Sequence, residues 1–363
     1  LLTVIVPCYR AKATVRRAID SVLQAEGTRV IAIDDACPDG TGDFVSASYA
    51  HTARVDVVTN AQNQGVGETR NIGIERAETE FITFLDADDY WTQAALGPQA
   101  CESLAASNAD AGIMPVVLDR GEGAAPTPYP DYELLAPYMG AEICYAQTPS
   151  LSVVQPCWAL IYKRQFLRDN AIKFQRRRYE DHDFGLEVVL TAKSLLVLPM
   201  SPVVNYDKSR QDTLSSSVIT SEGHRHFLDH VGRVRALMQR HPDLSFDSRE
   251  ERVSHYTYRL LWQLLEVGHL TDDMIGESFT EIQAMRADNQ VAALPERPAF
   301  QSQATRTLLD RHPYLTKALN RTLRDQKRFI HFVHLLRFVR QQPLGKARAM
   351  AKLGLRIASK PWR

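Results

Sequence analysis

Two periodicities alternate along the first ninety residues. Leu1 to Pro7 is an apolar, β-branched run closed by proline, the pattern of a buried strand. Val15, Ala18, Ile19, Val22 and Leu23 then recur at the spacing of one helix face within residues 13–23. Strand patterns return at Arg29 to Ile33, Arg54 to Thr59 and Phe81 to Leu85, separated by helical patterns at Asp43 to Tyr49 and Val66 to Ala77. Such alternation with short loops predicts an α/β fold built on a doubly wound, mostly parallel sheet. Ligands of such sheets bind outside the carboxyl ends of the strands. Asp34, Asp35, Asp86, Asp88 and Asp89 fall at those ends.

Further along, the pattern predicts a helix at Gln93 to Ala106, one apolar run at Ala111 to Leu118, and a loop at Gly121 to Pro130. Strands are expected at Ala159 to Tyr162, Ser194 to Leu198 and Val203 to Asp207, and a helix at Glu180 to Ala192. Strand signals end near residue 220. Helical periodicity fills His224 to Arg240, Arg249 to Val267, Asp272 to Arg286 and Pro313 to Gln342. The expected organisation is a catalytic α/β domain over 1–220 and an α-helical domain over 221–363.

The 363 residues are 44% hydrophobic and 24% charged, which excludes disorder and low-complexity architectures. Basic and acidic residues balance at 43 each, but residues 321–363 hold twelve Lys/Arg against one acid, Asp325. Within that basic tail Phe329, Phe332, Leu335 and Phe338 line one helix flank. A basic amphipathic helix is read either as a contact for an anionic membrane surface or as a packing face for the catalytic domain or a second copy of the chain. Nucleic acid is not an expected partner, because the sheet portion carries no basic stripe. The five cysteines form no C-x-x-C pair, which speaks against a disulfide scaffold or cysteine zinc site and for a reducing compartment. No apolar run reaches the ~18–20 residues of a membrane span, and the longest, around Ser194 to Asn205, is interrupted by Pro199 and Pro202. The start has no basic segment followed by an apolar one. A cytoplasmic chain, peripheral at the inner face of the membrane, is expected.

The densest chemical signal is Phe84-Leu-Asp86-Ala-Asp88-Asp89. Three carboxylates within four residues repel one another and tolerate this proximity around a hard divalent cation, Mg²⁺ or Mn²⁺. A plain acidic helix cap is the competing reading. Asp34-Asp35-Ala-Cys-Pro-Asp39-Gly-Thr41 could present a carboxylate to a base or a ribose, or be a simple turn. Asn63-Gln-Gly65-Val-Gly67-Glu-Thr-Arg70 has Arg70 where a dinucleotide fingerprint needs its third glycine, and no P-loop is present. His224, His226 and His230 are read as solvated on a polar helix face rather than as zinc ligands. Trp158 and Trp262 could stack on sugar or fill core.

Taken in order, these segments resemble inverting family 2 glycosyltransferases. Val4-Ile-Val-Pro7-Cys-Tyr9-Arg10 with Ser21-Val-Leu is similar to the family's P-x-Y-N opening and S-[IVL]-L helix. Asp34 to Thr41 is similar to D-D-[GA]-S-x-D-G-T, Asn63 to Gly73 to N-x-G-x-x-x-A-R-N-x-G, and Asp86 to Trp91 to D-x-D-D-x-[WY]. The likeness continues through Glu180-Asp181 to about Ser217. Arg10, Cys37 and Thr69 depart from the usual Asn, Ser and Ala. The resemblance implies a GT-A fold, a nucleotide-sugar donor, most often UDP-linked, and Mn²⁺ or Mg²⁺. Pro7, Tyr9 and Asp35 would line base and ribose with Arg70 beside the base. Asp86 would touch ribose or metal, and Asp88 would hold the metal. Asp181, with Glu180 second, would be the base, and Lys208 and Arg210 would contact the diphosphate. The implied reaction is metal-dependent inverting transfer to a glycan or lipid-linked acceptor in bacterial-type surface polysaccharide synthesis. The rivals are a non-catalytic glycan-binding scaffold on the same fold and a sugar-1-phosphate nucleotidyltransferase, which would want a G-x-G-T-R-like loop where Cys8-Tyr9-Arg10-Ala11 stands.

Overall fold

The computed structural model describes residues 1–92, 96–119, 127–128, 132–148, 156–175, 178–199, 204–207, 220–295 and 315–340. The chain forms two compact units, Leu1–Thr213 and Leu214–Arg363.

In the first unit, β1 (Leu2–Cys8), β2 (Thr28–Asp34), β3 (Val55–Thr59) and β4 (Phe81–Phe84) alternate with α1 (Val15–Leu23), α2 (Thr41–Tyr49) and α3 (Val66–Arg76). Then follow β5 (Tyr90–Trp91), α4 (Leu96–Ala105), β6 (Ala111–Ile113), β7 (Val116–Asp119), β8 (Thr127–Pro128), β9 (Glu142–Ile143), β10 (Leu160–Lys163), α5 (Arg164–Asp169), α6 (Glu180–Thr191), β11 (Leu195–Val197) and β12 (Val204–Asp207). The main sheet runs β3-β2-β1-β4-β10-β6-β11-β9 and a smaller one runs β5-β12-β7-β8. β1 to β4 are mutually parallel, whereas β10 enters antiparallel between β4 and β6. The order reverses at β1, whose next strand, β2, lies on one side and β4 on the other. That reversal opens a crevice at the carboxyl ends of β1 and β4.

Close packing fixes this arrangement. Val4, Ile5 and Val6 are fully buried on β1. α3 approaches so near that a Cβ on Gly73 would lie 2.4 Å from Ile5 Cγ2, so only glycine fits there. The apolar run 111–118 divides into β6 and β7, which belong to different sheets. Pro115 stands between them and cannot donate to a ladder.

The second unit is helical: α7 (Ser221–Gln239), α8 (Phe246–Glu266), α9 (Asp272–Asp288), α10 (Leu315–Thr322) and α11 (Gln326–Arg340). Thr220, Ser245 and Thr271 cap the first three, each side chain accepting a backbone N–H three residues on. The expected single helix 313–342 is two, parted at Leu323–Asp325.

Two expectations are corrected by the packing of this unit. Phe329 and Phe332, read as a flank for a membrane or a partner, are 0% and 2% exposed, with Val333 and Leu336 beside them in the core. α11 packs on α8, α9 and α10, and Arg337 Nη1 donates to the carbonyls of Leu264 (3.1 Å) and Val267 (2.9 Å) at the end of α8. The side chain of Phe338 and the residues beyond 340 lie outside what is described. His224 and His230 are buried rather than solvated. His224 bonds Gln263 and Ser278, and His230 bonds Tyr256, so α7 uses them as packed polar groups inside the helical core. No helix among the described residues is long and apolar enough to cross a membrane.

Candidate active site

The loops leaving β1, β2 and β3 are tied to one another by side chains of the acidic motif after β2. Asp39 accepts the backbone N–H of Lys12 at 3.2 Å and the hydroxyl of Thr41 at 2.6 Å, and Thr41 Oγ1 accepts from Ala11 N at 3.1 Å. The loop after β1 is thereby welded to the loop after β2. It presents Tyr9, 48% exposed, with the Arg10 guanidinium 5.5 Å from its ring centroid. Pro7 is buried on β1. Arg10 (φ 54°), Ala36 (φ 55°) and Tyr179 (φ 65°) are left-handed, and they flank the residues implicated in chemistry. Such strain persists where the surroundings over-determine it and clusters at functional sites.

Asp35 is buried, and its carboxylate organises the next loop. Oδ1 accepts from Asn60 Nδ2 and from the backbone of Gln64, both at 2.8 Å, and Oδ2 accepts from the backbone of Gly65 at 2.9 Å. Asn60 carries no signal of its own in the sequence and stands just before the motif that contains Arg70. Beside this loop, burial pushes the Cys37 thiol up to about 11, with Asp34 adding to the rise, and pushes Cys8 higher still. Neither is poised as a nucleophile.

Arg70, on α3, is 3% exposed. Its Nη2 donates to Asp86 Oδ1 at 2.7 Å and its Nη1 to Glu180 Oε1 at 3.1 Å, while its guanidinium lies 5.3 Å from the Phe174 ring centroid. Burial opposes the charge, but Cys157, Asp86 and Glu180 outweigh it and hold Arg70 protonated. The neighbouring Asn71, a residue of the same motif to which the sequence assigns no role, donates to Phe174 O and accepts from Phe174 N, both at 2.9 Å. Phe174 stacks on Phe184 of α6, centroids 3.9 Å apart. A Cβ on Gly67 would meet Gln175 O at 2.9 Å and Glu180 Cγ at 3.2 Å. The glycines and the Arg-Asn pair of one motif therefore seat the start of α6, 110 residues beyond Arg70.

Glu180 and Asp181 open α6. Burial pushes Glu180 up to about 7, with Asp181 adding to the rise and Arg70 opposing it. Asp181 has 28% of its side chain exposed, against 14% for Glu180. Its Oδ1 accepts from His182 N at 2.9 Å.

Asp86 and Asp88 stand in the turn after β4, where Asp89 N donates to Asp86 O at 3.0 Å. Both are partly exposed. Arg17 of α1 donates to the Asp88 carbonyl at 2.6 Å and lies 4.4 Å from the Tyr90 ring centroid. Ser21 of the same helix accepts from Trp91 N at 3.0 Å. No group of three or more His, Cys, Asp or Glu side chains is arranged for an ion among the described residues. Two hard carboxylates on a braced turn do fit an ion that takes one or two protein oxygens and completes its shell with phosphate and water. Lys208 and Arg210 lie outside the described residues.

A doubly wound sheet with acidic loops at its reversal point and a second acidic pair at a facing helix start defines the GT-A architecture. Solved structures agree on the fold. The crystal structure of Staphylococcus aureus TarS 1–349 in complex with UDP-GlcNAc superposes with a TM-score of 0.55 at 18% identity, covering 79% of this chain and 88% of that one. Residues 3–167 match the sequence model of Glycosyl transferase family 2, and this region of the chain belongs to that family. Among curated relatives, the uncharacterized glycosyltransferase EpsJ of Bacillus subtilis is 27% identical over 205 residues, 54% of this chain and 58% of that protein. The poly(ribitol-phosphate) beta-N-acetylglucosaminyltransferase TarS of S. aureus is 24% identical over 227 residues, 61% of this chain and 38% of that protein. The UDP-Glc:alpha-D-GlcNAc-diphosphoundecaprenol beta-1,3-glucosyltransferase WfaP of Escherichia coli is 28% identical over 101 residues, 27% of this chain and 39% of that protein. The chain thus spans between 38% and 58% of the length of these three relatives.

Proposed function

We propose that this protein is a metal-dependent inverting glycosyltransferase that moves a sugar from a UDP-sugar to a glycan or lipid-linked glycan acceptor in bacterial surface polysaccharide synthesis. One observation carries the reading: Arg70 joins Asp86, in the turn after β4, to Glu180, which precedes Asp181 at the start of α6. Groups suited to hold a donor and to activate an acceptor thus share one crevice. The UDP-GlcNAc complex of TarS and the diphosphoundecaprenol acceptor in WfaP's name support the donor and acceptor classes.

Tyr9, Pro7 and Asp35 are assigned to the nucleoside side, with Arg70 behind it. Asp35 does so through the loop it orders as much as by direct contact. Asp86 and Asp88 would hold Mn²⁺ or Mg²⁺, which when bound supplies charge neutralisation for the departing diphosphate. Lys208 and Arg210 are assigned to the same diphosphate. Asp181 takes the acceptor hydroxyl proton as that oxygen bonds to the sugar's anomeric carbon; the bond from that carbon to UDP breaks on the opposite face. Asp181 is preferred to Glu180 because Arg70 already occupies the Glu180 carboxylate.

The test is a panel of nucleotide sugars with Mn²⁺, scored by donor hydrolysis and thermal shift. Turnover of a UDP-sugar, abolished by EDTA, is expected. Ligand binding without any turnover would establish the glycan-binding scaffold instead, and release of pyrophosphate from a sugar 1-phosphate and a nucleotide would establish the nucleotidyltransferase.

A further inference from the structure

Arg70 is one cation serving two anions. Its guanidinium spans carboxylates from different motifs, Asp86 at 2.7 Å and Glu180 at 3.1 Å. Its Nε has no hydrogen-bond partner among the described residues. The two carboxylates and the Phe174 face therefore hold it, and Phe174 is itself fixed at both backbone groups by Asn71. A planar fork can bridge two acceptors in this way, whereas a lysine ammonium is a point charge. We propose that Arg70 is a positioning residue that couples Asp86 to Glu180, so that binding on the Asp86 side and the order of the first turn of α6 depend on each other. This rests on the assignment of Asp86 to the donor and cation side.

The physics is competition for a single charge in a buried place, where electrostatic interactions are strong. With Glu180 ionised, Arg70 divides its attraction between two partners. With Glu180 neutralised, Arg70 attaches more firmly to Asp86, and that carboxylate is less available to a cation and a diphosphate. Conversely, a cation at Asp86 frees Arg70 toward Glu180 and tightens the turn that carries Asp181. Linkage makes the two effects equal in magnitude. A purely structural Arg70 would produce neither.

The experiment measures UDP binding in the presence of Mn²⁺ by calorimetry on the full chain, for wild type, Glu180→Gln, Arg70→Lys and the double variant. Glu180→Gln keeps the shape of the side chain, removes its charge, and should weaken binding at least about fivefold, the low end of coupling between linked sites. In the Arg70→Lys background the same substitution should change binding by less than about twofold. A second measurement needs no change at Arg70: at saturating UDP and Mn²⁺, hydrogen exchange at residues 180–184 should slow in wild type and much less in Glu180→Gln. Equal affinity in wild type and Glu180→Gln, an undiminished effect in the Arg70→Lys background, or equal protection in both proteins would overturn the coupling while leaving the donor assignment standing. No binding of UDP with Mn²⁺ by wild type would overturn the donor assignment and the coupling with it.

Discussion

Asp181 and Glu180 are sequence neighbours in unlike circumstances. Glu180 is more buried and faces Arg70, while Asp181 is more exposed and its Oδ1 accepts from the backbone of its own helix turn. Asp181→Asn should therefore leave UDP and Mn²⁺ affinity within about twofold of wild type and slow transfer by about 10²–10⁴-fold, the usual contribution of a positioned acid–base group. Single-turnover transfer and calorimetry on the same preparation separate the two. An active Asp181→Asn together with a dead Glu180→Gln would reverse the assignment. At this scale the sequence was readable where a motif names a residue type, as at Asp86, Arg70 and Glu180. It assigned no role to Asn60, which bonds the Asp35 carboxylate, or to Asn71, a motif residue that holds the backbone of Phe174, because these roles become visible only when the held segments are in place.

Among the elements, α7 shows how a polar residue becomes part of a core. Its His224 lies between Gln263 of α8 and Ser278 of α9, at 3.3 and 2.9 Å, and burial lowers its pKa. The folded state keeps this imidazole neutral, while the unfolded chain takes up a proton near pH 6.5. Stability from this group is thus full above about pH 6.5 and falls as pH drops below it, because the unfolded state then binds more protons. Amide protection in α8, corrected for intrinsic exchange, should be lower at about pH 5.5 than at about pH 7.5, and His224→Asn should flatten the difference. An unchanged difference in that variant would remove His224 as its source. Glu180, in the other unit, has the opposite sign: its raised pKa stabilises at low pH, and this is lost as pH rises through about 7. The histidine pattern misled because His at positions 224 and 230 interrupts an otherwise ordinary apolar stripe that includes Phe227, Val231 and Val234. Periodicity scores the stripe by residue type, whereas hydrogen-bond partners from other helices make the two histidines acceptable within it.

Across the whole molecule, the helical unit draws its core from the segment whose charge pointed outward. Phe332 is 2% exposed and Phe329 lies 5.6 Å from Phe279, ring centroid to centroid. Phe332→Ala should destabilise the helical unit by about 3–5 kcal/mol, the usual result of truncating a buried aromatic. Denaturant unfolding measures this. Co-sedimentation with anionic vesicles at low salt should be unchanged for the folded variant. A small stability loss with weakened vesicle binding would return Phe332 to the surface.

The sequence alone determined the alternation of strands and helices, the acidic strand ends and the four motifs of a family 2 glycosyltransferase, because each is written in local spacing and residue type. It also determined that the described residues beyond about 220 are built from helices. Tertiary structure alone decided that Arg70 faces two carboxylates 16 and 110 residues away, that Asp35 clamps the loop at Asn60–Gly65, and that Phe329 and Phe332 of α11 turn inward. Each depends on which surfaces meet after the chain has crossed between strands or folded back between helices. Local pattern records that a residue can pair or pack, and only the assembled core selects its partner.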